Sequence, residues 1–105
     1  MSENVIDLTE QSFETEVKQG LTLVDFWAEW CAPCKALTPT IEQLATDYKD
    51  RVKVAKVDVD ANPNIPGRFG IRGIPTVMLF KDGEQVDVFV GNSPQKVREM
   101  VERAL

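Results

Sequence analysis

The sequence predicts an α/β protein: a parallel βαβ part with an antiparallel edge, its sheet covered on both faces. Three stretches carry that reading. LTLVDFWA (21–28) is a nearly continuous apolar run of strand length, the pattern of a strand buried on both faces. After it, Leu37, Ile41, Leu44 and Tyr48 recur at helical spacing, and VKVAKVDV (52–59) then returns to strand character. TVMLF (76–80) and QVDVFV (85–90) flank Asp82-Gly83, a pair that favours a tight hairpin turn.

In chain order the elements read strand–helix–strand–helix–strand, then a loop, a hairpin and a last helix. Thr9 stands as the cap of a helix running to about Gln19. Leu8 and Phe13 are placed as its hydrophobic staple and Gly20 as its stop. The helix after the 21–28 strand spans Pro33 to Tyr48, and Pro39 inside it predicts a kink. DANPNIPGRFGIRG (60–73) is rich in Pro and Gly, which predicts an irregular connection with room for one short helix. Ser93 and Pro94 supply the N-cap and first residue of the last helix, with Val97, Met100, Val101 and Ala104 on its apolar face. No repeat, low-complexity tract or linker interrupts this pattern, so residues 1–105 read as one domain.

Composition excludes several function classes. Apolar residues make up 43% and charged residues 28%, an ordinary balance for a chain with a core. The net charge is −5, and residues 1–30 set seven acids against the single base Lys18, so a nucleic-acid or anionic-membrane footprint is missing. No apolar run approaches the ~18 residues that span a bilayer. MSENVIDLTEQSFE lacks the basic and apolar regions of a secretory signal, which sets the expectation of a cytosolic, thiol-reducing compartment. Cysteines there serve catalysis or metal binding more often than structure.

Cys31 and Cys34 are the chain's two cysteines, and it has no histidine. Cys31 lies where the apolar strand ends, and Pro33 opens a helix. Positions i and i+3 of a first helical turn bring Cα atoms to about 5–6 Å, within disulfide range. Such a turn also presents unpaired N–H groups and the positive end of the helix dipole, both of which favour a thiolate. An ordinary thiol is only ~3% thiolate at pH 7, so that help makes Cys31 a nucleophile without a histidine. Pro33 at the second helical position costs little, because its missing N–H has no partner inside the helix.

Three other readings stand beside the redox one. A structural staple across ~4 residues is worth about 2 kcal/mol, against about 4 for a loop of ~60, and it ties no two elements together. A zinc site would need carboxylates or a second chain to complete its ligands. Two inert buried thiols are the third.

Asp25, inside Leu23-Val24-Asp25-Phe26-Trp27, is expected to be buried. Burial raises a carboxyl pKa and poises the group to carry protons near neutrality; the alternative is an acid satisfied by backbone N–H groups or a lysine. Lys56 alternates with Val52 and Val54, so it either reaches inward to pair with Asp25 or points to solvent. Pro75, in Gly73-Ile74-Pro75-Thr76, suits a cis turn, although an X-Pro bond is by itself mostly trans. Trp27 reads as core and Trp30 as partly exposed surface.

VDFWAEWCAPCK, KVAKVDVD, FGIRGIPT, LFKDG and the late Gly91 together resemble the thioredoxin family over essentially the whole chain. The resemblance implies the thioredoxin fold: a central five-stranded mixed sheet of order 1-3-2-4-5, its last two strands antiparallel to the rest, flanked by about four helices. Cys31 would be the exposed attacking thiol and Cys34 the recessed resolving thiol. Asp25 would carry the proton, Lys56 would modulate it, and a cis Pro75 would face the disulfide. Trp30, Ala32, Pro33, Gly73, Ile74 and Gly91 would form the docking surface, with the residue before Pro75 pairing a substrate backbone, and Pro39 would kink the active-site helix.

The implied activity is protein-disulfide reduction by a monomer without bound cofactor or metal. Electrons would come from thioredoxin reductase, a flavoprotein drawing on NADPH, and go to disulfides of client proteins. An oxidase or isomerase on the same fold, and a non-catalytic binding module around Trp30, are the rivals. One position departs from the family's usual C-G-P-C: Ala32 replaces the glycine, which leaves the exchange chemistry intact while shifting redox potential and partner fit.

Overall fold

The computed structural model describes residues 4–105. Nine elements follow in chain order: β1 (Val5–Asp7), α1 (Phe13–Val17), β2 (Leu21–Trp27), α2 (Ala32–Asp47), β3 (Lys53–Asp58), α3 (Asn64–Arg68), β4 (Thr76–Lys81), β5 (Glu84–Val90) and α4 (Pro94–Ala104). The five strands form one sheet in the order β1-β3-β2-β4-β5. β1, β3 and β2 pair in parallel, while β4 is antiparallel to both β2 and β5. Here the expectation of two reversed strands is corrected. Only β4 runs against the rest, because the hairpin that joins β4 to β5 turns the chain back again.

β2 sits at the centre, and its five inner residues, Thr22 to Phe26, are all buried. Alternation sends them to opposite faces. Leu23 packs with Leu37, Ile41 and Leu44 of α2 and with Val97, Met100 and Val101 of α4. Val24 and Phe26 pack on the other face with Leu8, Phe13, Val57, Met78 and Phe80. Both apolar faces are therefore used, which is why the strand needs a nearly continuous apolar sequence.

α1 is shorter than its sequence suggests. Thr9 is not the cap: its carbonyl accepts the Ser12 and Phe13 N–H groups in a turn, and the Thr9 and Ser12 hydroxyls each accept the other's backbone N–H. Those bonds hold residues 9–12 in a turn, and the helix starts only at Phe13. Leu8 and Phe13 still share one core. Gly20 (φ +75°) closes the connection to β2, and its carbonyl accepts the Asp82 N–H at 2.9 Å. Asp82 and Gly83 both take positive φ, +51° and +90°, the conformation of a tight hairpin turn.

Two features position the site. β2 ends at Trp27, and after Ala28 a turn delivers Cys31 as the N-cap of α2, with Pro33 in the helix's first turn. α2 continues unbroken through Pro39, whose missing N–H leaves the Lys35 carbonyl without its ladder donor. The connection 60–73 contains the five-residue α3 and returns the chain to β4 through a cis Ile74–Pro75 bond.

Candidate active site

Cys31 and Cys34 form a disulfide with a Cα–Cα separation of 5.2 Å, the distance expected across one helical turn. The Cys34 N–H, which has no carbonyl partner in the first turn, donates to Cys31 Sγ at 3.2 Å. Sulfur thus occupies the place that Ser93 Oγ takes at the start of α4, where it accepts the Lys96 N–H. The N-cap position and the helix dipole together favour negative charge on Cys31 once the disulfide opens.

The two sulfurs are less exposed than expected. Cys31 keeps 4% of its surface and Cys34 1%, so Cys31 is the more accessible of the pair without being an exposed residue. Trp27, Val59 and Ile74 pack against the small cluster that the two cysteines form with Ala28. Cys31 Sγ lies 3.8 Å from the Ile74 carbonyl, which sets the Ile74–Pro75 segment directly beside it. Gly91 donates its N–H to the Pro75 carbonyl at 2.8 Å, and its φ of +125° suits glycine alone.

Around this buried pair the surface is open. Trp30 is 70% exposed, more than its expected partial burial, and its Nε1–H donates to Asp60 Oδ2 at 2.8 Å. Ala32, Pro33 and Gly73 are exposed, and Ile74 and Gly91 half-buried. A groove of about 340 Å³ runs past Trp30, Val59, Pro66, Ile71, Gly73 and Ile74. Since Val59 and Ile74 also pack against the cluster that holds the disulfide, and the Ile74 carbonyl lies beside Cys31 Sγ, the groove borders the disulfide. Trp27 is half-buried, and its indole N–H finds no partner among the described residues.

Asp25 lies on the α2 face of β2, 3% exposed, and its Oδ1 accepts no hydrogen bond among the described residues. Burial pushes its pKa from 3.8 up to about 7, against the pull of the Lys56 cation. Lys56 is the register partner of Asp25 on β3. Its amine nonetheless makes its ion pair with Asp7 at 3.8 Å and lies 4.8 Å from the centre of the Trp27 ring. Of the two orientations open to Lys56, the structure takes one between them, half-buried with its charge at the rim. A cavity of about 100 Å³ beside Asp25 is lined in part by Asp7, Trp27, Thr38, Glu42 and Lys56. It is polar and large enough for water.

Asp7, Thr38 and Asp60 escape the sequence reading. Thr38 Oγ1 donates to the Cys34 carbonyl at 3.3 Å. A helical i, i+4 relation marks that pair in sequence, but nothing marks Asp60 beside Trp30 or Asp7 beside Lys56. Among the described residues, no cluster of three His, Cys, Asp or Glu side chains is placed to hold a metal ion. No described helix is long and apolar enough to cross a membrane.

A disulfide across the first turn of a helix, at the end of a central parallel strand and beside a cis-proline loop, defines a dithiol/disulfide exchange domain. The chain belongs to the thioredoxin family: the family model described as Thioredoxin matches residues 4–103. The curated relatives agree. The thioredoxin of Rickettsia bellii is 59% identical over 87 residues, 81% of this chain and 83% of its own. That of Pseudomonas aeruginosa is 47% identical over 93 residues, 87% of this chain and 86% of its own. That of Staphylococcus saprophyticus is 42% identical over 102 residues, 96% of this chain and 98% of its own.

Proposed function

We propose that this chain, a single thioredoxin domain over residues 1–105, is a cytoplasmic, monomeric protein-disulfide reductase. It receives two electrons from an NADPH-dependent flavoprotein, thioredoxin reductase, and passes them to disulfides of client proteins. The observation that carries the reading is the Cys31–Cys34 disulfide at the N-cap of α2, with the Cys34 N–H on Cys31 Sγ.

In the reduced protein, the Cys31 thiolate attacks one sulfur of a client disulfide. A Cys31–client disulfide forms, and the other client sulfur leaves as a thiolate that takes up a proton. Cys34 then gives its proton to the Asp25 carboxylate and attacks Cys31 Sγ. The mixed disulfide breaks, the second client sulfur leaves, and the protein is left with the Cys31–Cys34 bond. The client gains two electrons and the Cys pair loses two. A pKa of about 7 suits Asp25 to this task, and the cavity beside it gives the proton a way out. Trp30, Ala32, Pro33, Gly73, Ile74 and Gly91 form the surface against which the client docks, and the Ile74 backbone pairs with it in strand fashion. Lys56 modulates Asp25, and cis Pro75 holds the loop against the disulfide.

The test is reduction of a disulfide-bonded protein by dithiothreitol with catalytic amounts of this chain. Acceleration is expected, and none with Cys31→Ser. No acceleration by the natural sequence would sink the reading. Cys34→Ser is expected to accumulate clients as mixed disulfides on Cys31, visible on non-reducing gels and released by reductant.

A further inference from the structure

Three strands place one row of ionisable groups on the α2 face of the sheet. Asp7 on β1 is in register with Lys56 on β3, and Lys56 is in register with Asp25 on β2. One cation therefore stands between two carboxylates, one of them exposed and the other buried. All three line the same cavity. On the far side of Asp25 the row continues with Val77 of β4, which is buried and apolar. From α2, Glu42 also lines the cavity, but the Lys56 amine makes its ion pair with Asp7 alone among the described residues.

We propose that Asp7 is a positioning residue of the exchange site: it shares the Lys56 amine with Asp25 and so sets how readily Asp25 takes up and gives back its proton. The proposal rests on the reading of Asp25 as proton carrier. With Asp7 present, the amine is held toward the rim, 3.8 Å from the Asp7 carboxylate. Removal of that carboxylate frees the amine to face Asp25 and takes away a negative charge two strand spacings off. Both changes stabilise the Asp25 carboxylate, so they act in one direction.

The experiment is a carbon-13 carboxyl titration of Asp25 in the full-length, oxidised protein, where Cys34 does not titrate. Asp7→Asn is expected to lower the Asp25 midpoint by about half a pH unit, the size of a Coulomb effect across ~10 Å of wet surface. Asp7→Glu is expected to restore most of it. Because Asp7 is exposed, the gap between the natural protein and Asp7→Asn is expected to narrow in high salt, which a purely structural role of β1 would not produce. In a Lys56→Met background, the Asp7→Asn shift is expected to fall to half or less. An unmoved or raised midpoint in Asp7→Asn, or a full shift without Lys56, overturns the proposal. The titration needs no turnover, so it judges Asp7 separately from the reductase assay. In that assay, the pH profile of client release is expected to move downward with the midpoint.

Discussion

Asp25 shows how one side chain is made costly and useful at once. Its folded pKa of about 7 lies above its ordinary 3.8, so between those values the folded protein holds a proton that the unfolded chain has lost. The contribution of Asp25 to stability is then greatest below pH 4 and falls as pH rises through that window, and above pH 7 the loss levels off at about 4 kcal/mol. Asp25→Asn removes the slope. Its stability advantage over the natural sequence is expected to be small at pH 4 and to reach a few kcal/mol at pH 8, read from urea unfolding across pH. The same variant is expected to slow release of a trapped client more than initial attack, in stopped-flow measurements of the two steps. A flat difference across pH would mean that Asp25 is not strained by ionisation.

At the scale of elements, two tight pieces of backbone determine where side chains can stand. The turn after β2 brings Cys31 to the N-cap of α2, and the helix supplies the N–H that its sulfur accepts. The β4–β5 turn depends on Gly83 at φ +90°, close to the Lys18 backbone, which a Cβ would approach to 3.8 Å. That approach is ordinary contact, so the strain of Gly83→Ala is conformational. The variant is expected to lose about 1 kcal/mol in urea unfolding. Gly67→Ala is the contrasting case. Gly67 lies inside α3 with open space where its Cβ would stand, and alanine is expected to cost nothing there.

Over the whole molecule, the fold is held by two apolar cores on either face of β2 rather than by its disulfide. A bond closing ~4 residues contributes about 2 kcal/mol, a minor share of the 5–15 kcal/mol typical of a domain. Unfolding with and without dithiothreitol is expected to differ by about that amount, and collapse of the reduced protein would contradict the picture. An electron carrier needs this property, since it must keep one shape in both redox states. The same economy shows at the surface, where an open groove lies beside a nearly buried disulfide.

By itself the sequence determined the central strand, its β3 neighbour, the β4–β5 hairpin, the two long helices and the reach of one cysteine to the other. Burial on both faces forces β2 to be apolar, a hairpin needs Asp82-Gly83, and a Cys-x-x-Cys at a helix start can only meet across one turn. Local rules suffice for these because the interacting groups are a few residues apart. The start of α1 was lost because Thr9 and Ser12 bond each other's backbone as readily as they cap a helix. Tertiary structure alone decided the row Asp7–Lys56–Asp25, the Trp30–Asp60 bond and the cover over Cys31. Their partners lie on different strands and loops, and sheet register, which no single segment encodes, brings them together.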